Sequence, residues 1–120
     1  MAFDPRNLSQ ADQQQMVRYQ QVAQSLDAIT KQRAQMESKM KQTDFAIEEL
    51  EKGGSDANVY RSIGGIFIKS NQEKVLEETK EEKESLEMRL KSLNMQEERL
   101  KKQYEDLTNK IKNIMNKSNQ

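Results

Sequence analysis

The sequence predicts a mainly α protein: a long antiparallel two-helix coiled coil with one β-hairpin at the bend. Three observations predict it. Two stretches of nearly equal length carry apolar residues at alternating spacings of three and four. Between them lies "NVYRSIGGIFIKS", residues 58–70, which is β-branched and aromatic around a glycine pair. The whole is too polar for an ordinary globular core, with 33% hydrophobic and 33% charged residues and a mean hydropathy of -1.07, so a narrow helical seam is the packing it can support.

The first helix is expected over residues 8–52. Its seam runs Leu8, Asp12, Gln15, Tyr19, Val22, Leu26, Ile29, Arg33, Met36, Met40, Thr43, Ile47 and Leu50, a heptad pattern that marks a coiled coil. The linker and hairpin follow over 53–70. Gly53 and Gly54 suit a left-handed helix terminus, and Ser70 or Asn71 suits the N-cap of the next helix. The second helix is expected over 71–117, with the seam Leu76, Thr79, Lys83, Leu86, Leu90, Leu93, Glu97, Leu100, Tyr104, Leu107, Ile111 and Ile114. At about 1.5 Å per residue each helix reaches roughly 67 Å, so the two can pair antiparallel along their length. Matching Leu50 with Leu76 sets Thr43 against Lys83 and brings Arg33 and Glu97 one layer apart. Those two charges either snorkel separately to water or form an ion pair that fixes register.

Val59–Ile63 and Ile66–Lys69 are strand formers flanking Gly64-Gly65, a pair suited to the positive φ of a tight turn. An isolated hairpin is marginal in water, and this one would expose apolar side chains and two unpaired edges. The hairpin is therefore read as an assembly device completed by other subunits, with Val59, Tyr60, Ile63, Gly64, Ile66, Phe67 and Ile68 as its oligomerisation residues. At the other end, where the termini lie, Phe3, Leu8, Met16, Val17, Ile114 and Met115 offer apolar and flexible side chains suited to weak contact with partners of variable shape.

Other chemistry is disfavoured. The chain has no cysteine and no histidine, so thiol and imidazole nucleophiles, acid/base groups and metal ligands are missing, and no catalytic, metal or cofactor site is expected. Basic and acidic residues balance at 20 each, without the basic stripe that nucleic acid requires. No apolar run is long enough for a membrane span and the start lacks a signal-peptide layout, so the chain is expected to be soluble and cytoplasmic. The runs "EETKEEKE" and "QEERLKKQ" read as solvated helix faces with i, i+4 pairs. A coiled-coil scaffold or adaptor is the alternative class, though it would not need a sticky hairpin at the midpoint.

"ANVYRSIGGIFIKSNQEKV" followed by "LEMRLKSLNMQEERL" resembles the signature of prefoldin β-class subunits from about Asp56 to Ile114. The family's Tyr-basic-x-aliphatic-Gly turn and apolar strand ending in Lys are met by Tyr60, Arg61, Ile63, Gly64 and the strand Ile66–Lys69. The resemblance implies an ATP-independent chaperone, a hexamer of two α and four β subunits whose hairpins build a β-barrel platform bearing coiled-coil arms. Non-native clients would be held at the tips and delivered to a group II chaperonin. One hairpin per chain implies the β rather than the α class.

Overall fold

The computed structural model describes residues 8–118, with elements in the order α1 (Gln10–Gly53), β1 (Val59–Ile63), β2 (Ile66–Ser70) and α2 (Gln72–Ser118). Two long helices thus flank a two-stranded antiparallel hairpin, the predicted fold class. Each boundary has a local cause. The Ser9 hydroxyl accepts the Asp12 amide at 3.1 Å, so α1 starts at Gln10 and leaves Leu8 just outside it. The helix ends where Gly54 turns left-handed (φ 68°), and the Ala57 amide closes the linker onto the Gly54 carbonyl at 3.3 Å. A Cβ on Gly53 would lie 2.9 Å from that of Ala57, so the linker folds this closely only over glycine. Of the two candidate caps for α2, Asn71 does the capping: its Oδ1 accepts the Lys74 amide at 2.7 Å, while Ser70 ends β2.

The described residues form two compact units. One combines residues up to 32 with those from 93 onward; the other is 33–92 and carries the hairpin. In the first, Val22, Leu93, Glu97, Leu107 and Ile114 are buried. Tyr19 and Tyr104 add a cross-helix pair, with ring centroids 5.2 Å apart and hydroxyls bonded at 3.0 Å. Extended to Tyr19, the register that matches Leu50 with Leu76 points to Leu107, one layer beyond Tyr104. The hydroxyl bond and the stacked rings favour Tyr104 instead, and the two long rings span the intervening step.

In the 33–92 unit, Thr43 and Leu86 are buried and the cross-helix contacts are mainly ionic. Lys83 meets Asp44 at 2.8 Å, beside its expected partner Thr43; Lys80 meets Glu51 at 3.5 Å and Lys39 meets Glu82 at 3.9 Å. Near the hairpin the Gln72 amide donates to the Leu50 carbonyl at 2.9 Å. The threonines placed on the seams satisfy their hydroxyls within their own helices, Thr43 on Lys39 O at 2.8 Å and Thr79 on Val75 O at 2.6 Å. All the buried residues fall on the seams read from the sequence.

Candidate functional site

The hairpin pairs Val59 with Ser70, Tyr60 with Lys69, Arg61 with Ile68, Ser62 with Phe67 and Ile63 with Ile66. Gly64 and Gly65 close it with φ of 55° and 84°, the two positive values a type I′ turn requires and a side-chain-bearing residue resists. Directly paired residues share a face. One face therefore carries Val59, Arg61, Ile63, Ile66 and Ile68, and the other Tyr60, Ser62, Phe67 and Lys69. Val59 and Arg61 are half-buried, and Arg61 reaches Glu78 of α2 at 3.1 Å, which ties the hairpin to its helix.

The remaining apolar side chains stay in solvent. Phe67 is 74% exposed and Ile66 66%, with Tyr60, Ile63 and Ile68 each about half exposed or more. Apolar residues thus crowd both faces of a sheet of two strands. Sequence reasoning placed all seven hairpin residues, and the structure brings them together on this one element.

The predicted residues near the termini separate on inspection. Val17 is 54% and Met115 40% exposed. Leu8 and Met16 are half-buried, and Ile114 is 7% exposed, a seam residue in its packing. Phe3 lies outside the described residues. Beside Val17 an open groove of about 680 Å³ runs along the first turns of α1 against Leu100 and Gln103 of α2. The sequence reading missed this groove, although its signal was present: seven glutamines occur within residues 10–25.

The pairings between helices were missed as well. The hydrogen bond from Lys83 to the Asp44 carboxylate holds that ammonium above the usual lysine range. Tyr104 is likewise held above the ordinary tyrosine value, chiefly by its hydrogen bond with Tyr19 and then by the charge Tyr19 would carry if ionised. Gln15, placed on the seam from the sequence, turns a buried Oε1 that finds no hydrogen-bond partner among the described residues. Arg33 pairs with Glu37 at 2.8 Å and Glu97 with Lys101 at 3.2 Å along their own helices. No group of three or more acidic residues able to hold a metal ion occurs among the described residues, and none of their helices is long and apolar enough to cross a membrane.

Two long helices flanking one exposed two-stranded antiparallel sheet define the class of subunit. The chain belongs to the prefoldin subunit family, whose description it matches over residues 13–118. It is 44% identical over 80 residues to the prefoldin subunit beta of Methanococcoides burtonii, covering 67% of this chain and 68% of that protein. Identity to the prefoldin subunit beta of Archaeoglobus fulgidus is 41% over 73 residues, covering 61% and 63%. The crystal structure of the prefoldin beta subunit from Thermococcus strain KS-1 superposes with a TM-score of 0.79 at 28% identity, over 89% of this chain and 94% of that one. Prefoldin subunits are molecular chaperones, not enzymes, and they assemble with other subunits of the family.

Proposed function

We propose that the chain is the β-class subunit of a cytoplasmic hetero-hexamer of two α and four β subunits. In this reading it is an ATP-independent holdase that captures non-native proteins near its helix termini and passes them to a group II chaperonin. The observation that carries the assembly half is the hairpin, with apolar side chains exposed on both faces. Sheet completion by other subunits would bury that surface and satisfy its edges. Val59, Tyr60, Ile63, Gly64, Ile66, Phe67 and Ile68 supply the contact.

Capture is assigned to the apolar residues near the termini, Phe3, Leu8, Met16, Val17, Ile114 and Met115. Exposed Val17 and Met115 would touch clients directly, and buried Ile114 would hold the helix end that presents them. A shallow apolar site suits clients without a common shape, and several copies acting together would supply the strength that one lacks.

The test replaces Val17 and Met115 with Ser, which leaves the buried seam intact. The assembled variant should keep its mass while suppression of client aggregation falls sharply, and more steeply than linearly as variant subunits are mixed with unaltered ones. Undiminished protection of an aggregating client would remove the helix-terminal end from the mechanism.

A further inference from the structure

The groove beside Val17 has a composition unlike the rest of the chain. One third of all residues are charged, yet Arg18 is the one charged side chain among the ten that line it, and five are glutamines. Gln10, Gln14 and Gln21 are exposed along α1 and Gln103 is half-buried on α2. Their side-chain amides make no hydrogen bond with other described residues. Val17 and Leu100 add apolar surface between them.

A primary amide offers two donors and an acceptor, the same groups that a peptide main chain presents in reverse. Gln10 and Gln14, four apart on α1, are separated by a rise of about 6 Å, close to the two-residue repeat of an extended strand at roughly 6.6 Å; Gln21 lies about two turns further along the groove. Glutamine's long stem absorbs the difference. A row of such amides without carboxylates accepts a chain of either charge and of any side-chain sequence.

We infer that this groove binds extended segments of non-native polypeptide through their main-chain N–H and C=O groups, with Val17 and Leu100 taking alternate side chains. The inference rests on the holding role proposed above and names what that role recognises. Folded proteins have their main chain paired internally and are passed over; unfolded ones do not. Recognition of the main chain would make binding independent of client sequence, whereas apolar contact alone would vary with the size and spacing of apolar side chains.

The test measures, by fluorescence anisotropy, binding of a short labelled peptide of Ala, Thr and Val to the full chain in the assembly it forms. A second peptide has the same side chains but is N-methylated at alternate amides. Substituting Gln10, Gln14, Gln21 and Gln103 with Met keeps size and helix propensity while removing the amides. The variant should bind the unmethylated peptide about 10-fold more weakly. The intact protein should prefer that peptide over its methylated partner, and the variant should lose the preference. Equal or tighter binding by the variant, as apolar recognition would give, overturns the inference. So does equal binding of both peptides to the intact protein. Should the fourfold variant not fold by circular dichroism, the peptide comparison on the intact protein decides alone. If Val17→Ser with Met115→Ser abolishes binding while N-methylation changes nothing, the holding role stands and main-chain recognition falls. Failure of the intact protein to bind either peptide overturns the inference, while the holding role is decided by the aggregation assay above.

Discussion

The two compact units solve the same problem, joining one helix to another, with different chemistry. Around the termini the join is apolar and aromatic: Val22, Leu93, Leu107 and Ile114 are buried and Tyr19 stacks on Tyr104. In the 33–92 unit fewer side chains are buried, and Lys39, Lys80 and Lys83 reach carboxylates on the facing helix. The difference follows the neighbours. The 33–92 unit carries a hairpin whose apolar side chains are exposed within this chain; in the proposed assembly other subunits would bury them, and the exposed ion pairs would need only to set register. The terminal unit has no such element among its described residues, and its own seam has to supply its stability.

The largest effect within a single chain should therefore come from the terminal seam. Leu107→Ala empties its most buried apolar position, 4% exposed, and should cost about 2–5 kcal/mol. Hydrogen exchange should accelerate in 10–32 and 93–118 and change little in 40–90. Uniform acceleration would show the two units to be one cooperative body.

Gln15→Leu should act in the opposite direction, because it removes the buried acceptor that lacks a partner. Stabilisation of about 1–2 kcal/mol is expected, again confined to the terminal unit. Destabilisation would mean that Gln15 has a hydrogen bond in solution.

Salt should sharpen the contrast with a smaller effect. Raising ionic strength from about 0.1 M to 1 M shortens the screening length from about 10 Å to 3 Å. Exchange should then rise modestly across 39–83, where the exposed pairs lie, and stay flat or slow in the terminal unit. The smallest signal is a titration. Tyr104 has its pKa raised in the folded chain, so the tyrosine pair contributes below the ordinary value near 10 and is lost as pH climbs through the raised one. Ultraviolet titration should show late phenolate formation, and Tyr19→Phe should bring Tyr104 back toward its ordinary range. An unchanged late step would assign the shift to burial instead.

Much of this was legible in the sequence, because heptad spacing and glycine placement are local signals. The seam positions, the Gly64-Gly65 turn and the hairpin strands needed no tertiary information. The resemblance to prefoldin β subunits rested on the same hairpin and the helix after it. Pairings between helices were not legible, since a seam list says which residues face inward and not how far a long side chain reaches. Tyr19 against Tyr104 and Lys83 on Asp44 rather than Thr43 are both cases of reach. Ile114 shows the converse: proximity to a terminus suggested exposure, while its heptad position decided burial. The glutamine groove went unread because glutamine carries no periodic signal of its own.

The central claim is that the exposed hairpin completes itself through other subunits. Phe67 and Ile68 point to opposite faces, so changing both to Asp would place a charge on each side of an intersubunit sheet, at a cost of several kcal/mol. Multi-angle light scattering of the F67D/I68D chain, mixed with an α-class prefoldin subunit, reads the outcome directly. The account predicts monomers or dimers whose helicity by circular dichroism is largely retained. An intact hexamer would contradict it.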